Sequence, residues 1–125
     1  MIASKNHCLG VVALALVAMV GCGPKAAKLD KQTATTALNT FLEGWKKGET
    51  PQDLKAKSPP IIAGDDDFVA ARKLVDFKVI DQEKNDGSNL HALVELTIAE
   101  GTATRKRRVT YIVGTSPVIT VFPKL

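Results

Sequence analysis

The chain has few of the side chains on which most enzyme and metal sites are built. Its 125 residues include two cysteines, two histidines, one tryptophan and one tyrosine. Two cysteines are too few for a disulfide scaffold, and no set of cysteines and histidines has the spacing of a metal site. The sequence also lacks a phosphate-binding glycine loop and a nucleophile elbow. We therefore expect one small domain with neither a metal nor a cofactor, and the length excludes a multidomain enzyme.

A strong excess of charge of one sign is also absent. The chain has 17 Lys and Arg residues against 13 Asp and Glu residues, and Lys5 is the only charged residue before Cys22. The part that begins at Cys22 therefore carries 16 basic and 13 acidic side chains, a net charge of +3. This excess is too small to indicate a nucleic-acid partner.

The first 21 residues have the parts of a secretory signal. Lys5 supplies a weakly basic start, and residues 9–20 form an uncharged apolar run. As a helix this run would span about 18 Å, short of the roughly 30 Å hydrocarbon core of a bilayer. The length favours a signal peptide, and an uncleaved transmembrane helix is the alternative.

The end of the apolar run resembles a bacterial lipobox. Met19, Val20 and Gly21 place apolar and small residues directly before Cys22. The resemblance implies cleavage between Gly21 and Cys22, with a diacylglycerol on the Cys22 thiol and an acyl chain on its amino group. It also implies an anchor in a membrane of the cell envelope, and Gly23 implies the outer membrane where the cell has one. Ordinary cleavage, with Cys22 free or paired to another molecule, is the alternative.

Residues 32–47 have the clearest helical pattern in the chain. Apolar side chains recur at the spacing of one helix face, namely Ala34, Ala37, Leu38, Phe41, Leu42 and Trp45. Asp30 or Thr33 provides an N-cap, and Gly48 suits the C-terminal end. A second, short helical turn is expected from Pro51 to about residue 57.

The rest of the chain alternates between apolar and polar residues. This alternation predicts strands over residues 74–82, 90–99, 103–113 and 118–122. Their short connections favour an antiparallel meander, against which the helix buries its apolar stripe. Residues 68–72 fit either a helical turn or the start of a strand. We therefore predict a signal at residues 1–21, a lipidated tether at 22–31 and an α+β domain at 32–125, with one long N-terminal helix on a four-stranded antiparallel sheet.

The segment ALNTFLEGWKKGE, residues 37–49, resembles the opening helix of nuclear-transport-factor-2-like domains. In that family an AxxxFLxxWxxGD helix lies across a curved sheet, and Glu49 stands where the family often has aspartate. A cystatin-like helix-on-sheet domain matches the same pattern. The resemblance implies a cone-shaped pocket between helix and sheet. Its candidate lining residues, equally typical of an ordinary core, are Phe41, Trp45, Phe77 and Tyr111.

Two polar features are candidates for chemistry. His91 is the only histidine outside the leader, and related cone-shaped enzymes use a buried histidine–aspartate pair for acid/base catalysis. No acidic residue has a spacing that identifies it as a partner, so we expect His91 to be exposed or at a rim. Residues 65–67 are three consecutive aspartates, but they lack the alternation of a calcium loop and predict a solvated loop.

Residues 105–108, RKRR, are the densest run of charge. In a strand they separate into two pairs on opposite faces, Arg105 with Arg107 and Lys106 with Arg108. One pair could meet lipid phosphate or an acidic partner, but protection of a sheet edge is the favoured interpretation. The leading hypothesis is a membrane-anchored, non-catalytic binding or structural module of the cell envelope. The alternative is a binder of a small apolar ligand, and the third is a polyketide-cyclase-like enzyme.

Overall fold

The computed structural model describes residues 29–83 and 87–125. Its helices are α1 (Lys31–Lys46), α2 (Pro51–Lys55) and α3 (Asp66–Val69), and its strands are β1 (Ile61–Ala63), β2 (Leu74–Glu83), β3 (Asn89–Glu100), β4 (Ala103–Gly114) and β5 (Ile119–Pro123). None of the helices in these residues is long and apolar enough to cross a membrane. The predictions for the signal and for Gly21 and Cys22 lie outside the described residues.

The strands form one mixed sheet in the order β1-β5-β4-β3-β2. The four strands from β2 to β5 pair antiparallel with their neighbours, as the meander predicts. β1 adds a fifth strand that runs parallel to β5, with Ile61 opposite Ile119 and Ala63 opposite Val121. The α+β class is confirmed, and the prediction of a four-stranded, purely antiparallel sheet is wrong. Three residues are too few for alternation to reveal a strand.

Helix α1 lies across the sheet and contacts all five strands. It begins at Lys31 because the carboxylate of Asp30 accepts a hydrogen bond from the backbone N–H of Thr33 at 3.0 Å. Its predicted apolar stripe is buried and packs on the alternate residues of β3 that face the helix, Leu90, Ala92, Val94, Leu96 and Ile98. Between these buried positions, the side chains of β3 on the opposite face are half-buried. The core therefore lies between α1 and one face of the sheet.

The chain between α2 and β2 differs most from the sequence-based expectation. Asp65 caps the four-residue helix α3 by accepting hydrogen bonds from the N–H groups of Asp67 and Phe68. Residues 68–72 are thus a helical turn and its exit, where Ala71 takes a positive φ of 63° before β2 begins. The prediction of a solvated loop at residues 65–67 is wrong for Asp65 and Asp67, which are buried, while Asp66 is exposed.

Candidate functional site

A network of charged side chains joins α3 to β4. We name it the Asp65–Arg107 cluster, and it comprises Asp65, Asp67, Arg72, Arg105, Arg107 and Tyr111. The guanidinium of Arg107 approaches the carboxylate of Asp65 end-on, with Nη2 at 2.7 Å from Oδ2 and Nη1 at 3.3 Å from Oδ1. Nη1 also donates to Oδ2 of Asp67. Such a bidentate pair fixes both distance and orientation, and the same arginine holds the carboxylates of both Asp65 and Asp67.

Two further arginines complete the surroundings of Asp67. Its Oδ1 accepts hydrogen bonds from Nη1 of Arg72 at 2.9 Å and from Nη2 of Arg105 at 3.2 Å. Arg105 in turn donates from Nε to Glu100 at 3.2 Å. The three guanidiniums therefore face two buried carboxylates and one exposed one. When Glu100 is counted beside the cluster, three arginines face three carboxylates, so the charges balance.

Tyr111 closes the cluster on the side of the core. Its hydroxyl donates to Oδ2 of Asp65 at 2.8 Å, and its ring packs edge-on against Phe41 with centroids 5.5 Å apart. Burial raises the pKa of Tyr111 well above its ordinary value, and the negative charge of Asp65 raises it further. The phenol consequently stays protonated and acts as a hydrogen-bond donor.

The carboxylate of Asp65 is ionised although it is fully buried. Burial alone would raise the pKa of Asp65, but hydrogen bonds from Arg107 and Tyr111 and the charge of Arg107 outweigh it and lower the pKa below its usual range. Two backbone N–H groups also donate to Oδ1, so donors occupy both oxygens. A carboxylate that has a low pKa and accepts hydrogen bonds at both oxygens is a poor general base. The geometry assigns Asp65 the role of holding α3 against the sheet.

The structure brings together three of the four candidate pocket residues. Phe41, Trp45 and Tyr111 are buried, and Phe68 joins them with its ring centroid 5.1 Å from that of Phe41 and 5.6 Å from that of Trp45. The indole N–H of Trp45 donates to the carbonyl oxygen of residue 72 at 2.7 Å. Phe77 is only partly buried, and its ring centroid lies 6.0 Å from the Lys46 ammonium. Aromatic rings thus fill the space beside α1.

Several clefts open at the surface of the domain, and two of them have mainly apolar linings. One, of about 460 Å³, lies between α1 and the β1–β5 edge, and Ala37, Ile61 and Ile119 contribute apolar groups to its lining. The other, of about 470 Å³, is lined in part by Trp45 and Phe68 and has basic side chains, Arg72 and Lys73, at its border. Phe77 and Tyr111 line neither cleft. In the described part of the chain, no group of three or more His, Cys, Asp or Glu side chains is arranged to hold a metal ion.

The remaining candidates lie on the open face of the sheet. His91 is half-buried there, opposite Glu83 of β2 and Ile112 of β4 in the strand register. Lys106 and Arg108 share this face, where their charged groups lie 3.8 Å and 3.6 Å from the Glu95 carboxylate. The predicted separation of the basic run into two pairs is therefore confirmed. The other pair, Arg105 and Arg107, binds the carboxylates of Asp65 and Asp67, a role that the interpretation as edge protection did not include.

Sequence reasoning missed the Asp65–Arg107 cluster, although one signal for it was present. Arg107 precedes Val109 and Tyr111 by two and four residues, so strand alternation places all three side chains on the core face. A cation on a core face requires a buried acid as its partner. The three consecutive aspartates were the densest acidic candidate, but nothing in the pattern specified which of them turned inward.

Comparisons with known proteins identify no relative of this chain. No family model matches it, and neither a curated protein nor a solved structure is significantly similar to it.

Proposed function

We propose that this chain is a lipid-anchored protein of the bacterial cell envelope and that its α+β domain is a non-catalytic binding or structural module. The observation that carries the proposal is Cys22, which stands directly behind Met19, Val20 and Gly21 at the end of the apolar run. Seven residues separate Cys22 from Asp30, the N-cap of α1. This arrangement is typical of a short tether between a lipidated cysteine and a folded domain.

The polar groups of the domain support a non-catalytic role. The carboxylates of Asp65 and Asp67 accept hydrogen bonds from arginine, tyrosine and backbone donors, and neither residue lines either of the two clefts. Tyr111 is held in its protonated form, and His91 lines neither of the two clefts. We also propose a relationship to the nuclear-transport-factor-2-like or cystatin-like domains, supported by a helix with the FLxxW pattern that packs across the sheet.

A second candidate function is the binding of a small apolar ligand. The cleft between α1 and the β1–β5 edge supports it, because its volume of about 460 Å³ lies within the roughly 300–1,000 Å³ of ligand pockets. Apolar groups from Ala37, Ile61 and Ile119 would contact the ligand, with Thr33 and Thr36 as polar neighbours. This placement differs from the pocket expected around Phe41, Trp45, Phe77 and Tyr111.

The lipid anchor is tested by the mass and the location of the protein in its own cells. We expect a denatured mass equal to residues 22–125 plus acyl chains, and membrane retention that is lost or a precursor that accumulates in Cys22→Ala. The matched control is Cys8→Ala, which removes the other cysteine of the chain and should be processed normally. A Cys22→Ala protein that is still shortened and retained at the membrane contradicts the proposal. Extra mass seen only under native conditions would identify a bound ligand.

A further inference from the structure

The point at which the chain enters the domain is fixed at one end of the sheet. Leu29 packs on the core and donates its backbone N–H to the carbonyl oxygen of Gly87 at 3.1 Å, just before β3. The next N–H, from Asp30, lies 3.3 Å from the hydroxyl oxygen of Thr115, just after β4. The polypeptide therefore enters the domain beside the β2–β3 and β4–β5 connections, which we name the near end.

The length of the tether limits how the domain sits on a membrane. Six residues lie between Cys22 and Leu29, and even fully extended this stretch spans only about 25 Å. β3 and β4 have 12 residues each, so the β3–β4 turn at Thr102 lies about 36 Å along the sheet from the near end. An inverted domain would hold Leu29 farther from the lipid than the tether reaches. The turn at Thr102 is the far end.

The surface of the near end suits contact with lipid headgroups. Residues 115–118 connect β4 to β5 and expose Pro117 and Val118, the latter with 45% of its surface accessible. Lys31 is exposed at the start of α1, while the neighbouring carboxylate of Asp30 is occupied as the helix cap. A small apolar surface can insert into the interfacial region of a bilayer, and a neighbouring cation is attracted to the anionic headgroups.

We infer that the near end, with residues 115–118 and Lys31, rests on the bilayer surface and that the far end projects away from it. This inference rests on the proposed lipid anchor at Cys22. It places the cleft bordered by Trp45 and Arg72 on the side of the domain that a soluble partner can approach, because the strands carry it away from the lipid.

Two matched labelling positions test the orientation. Ser116 and Thr102 are both exposed residues in connections between strands, one at each end of the sheet. In the full chain processed in cells, Cys22 is consumed by the lipid and Cys8 is removed, so Ser116→Cys and Thr102→Cys each offer one thiol for a fluorophore. The labelled proteins are reconstituted into vesicles of phosphatidylethanolamine and phosphatidylglycerol that contain a lipid with a nitroxide on its headgroup.

We expect most of the fluorescence at position 116 to be lost and the fluorescence at position 102 to stay near its value in vesicles without nitroxide. Equal quenching at both positions, or stronger quenching at position 102, would overturn the orientation while leaving the anchor intact. Failure of the proposed anchor has a different signature, because the denatured protein would lack acyl mass and neither variant would float with the vesicles.

Discussion

The basic run on β4 places nearly identical side chains in two very different surroundings. Arg107 keeps 25% of its side chain exposed and holds the fully buried Asp65, whereas Arg108 is 65% exposed and lies 3.6 Å from Glu95. Alternation along the strand alone separates them. The comparison teaches that the contribution of a basic residue to stability depends on how buried its acidic partner is. Without Arg107, the buried charge of Asp65 would lack its main partner. Without Arg108, the carboxylate of Glu95 would be solvated by water.

The strongest test compares the loss of each arginine. Arg107→Ala should lower the free energy of unfolding by about 3 kcal/mol, because it leaves the charge of Asp65 buried without its main partner. Arg108→Ala should lower it by no more than about 0.5 kcal/mol. Urea unfolding followed by the fluorescence of Trp45 gives both values. Similar losses in the two variants would show that the Asp65–Arg107 cluster is no more stabilising than the surface pair.

A double-mutant cycle separates the pair itself from its surroundings. The cycle of Asp65→Asn with Arg107→Ala should give a coupling energy of about 2 kcal/mol, since asparagine keeps the helix cap but loses the charge. The cycle of Glu95→Gln with Arg108→Ala should give about 0.3 kcal/mol. A coupling near zero for the buried pair would mean that Arg107 stabilises the fold through Asp67 or through packing, and not through the charge of Asp65.

Tyr111→Phe removes only the hydrogen bond to Asp65. We expect a loss of about 1.5 kcal/mol, because an ionised acceptor then loses one donor. Since the folded-state pKa is raised, this contribution is complete below the unfolded tyrosine pKa of about 10 and declines as pH rises above it. Tyr111 is the only tyrosine of the chain, so ultraviolet titration reports it directly. Ionisation near pH 10 in the folded protein would contradict the buried donor.

The contribution of Asp65 to stability should depend on pH in the opposite direction to that of Tyr111, because it is lost in acid. The folded-state pKa of Asp65 is lowered, so its contribution is complete above the unfolded value of about 3.9 and is lost as pH falls through the folded value. Stability measured from neutral pH down to acid should therefore fall less steeply in Asp65→Asn than in the wild type. Asp30, and Asp53 of α2, which accepts a hydrogen bond from the backbone N–H of Thr50, also have lowered pKa values, but both are present in the two proteins. Equal slopes would exclude Asp65 as a source of acid lability.

Elements with a long repeating pattern could be predicted from the sequence. The apolar stripe and caps predict a helix over 32–47, within one residue of α1, and alternation predicts the four long strands. β1 could not be found in this way, since its three residues gain their strand geometry by pairing with β5 far along the chain. The four-residue α3 likewise depends on Asp65 for its start and on β4 for its position.

Only the part of the candidate site that lies on a single strand, β4, could be predicted from the sequence. Alternation alone establishes that Arg105 and Arg107 share a face with Tyr111. Their partners Asp65 and Asp67 come from a segment about 40 residues earlier, and the fold alone brings the two segments together. A charged residue on a buried face is an indication of such a partner, but its identity depends on tertiary contacts that have no local signature.

The smallest expected effect concerns the open face. Lys106→Ala should lower the free energy of unfolding by about 0.3 kcal/mol, because its ammonium lies 3.8 Å from Glu95 and is well exposed. This loss should disappear in about 1 M salt, where the screening length is about 3 Å. The loss in Arg107→Ala should persist under the same conditions, since water and ions do not reach Asp65. Urea unfolding at low and high salt measures both. If salt abolished both losses alike, the carboxylates of Asp65 and Asp67 would have to be in contact with solvent, and the contrast between the two faces of β4 would fail.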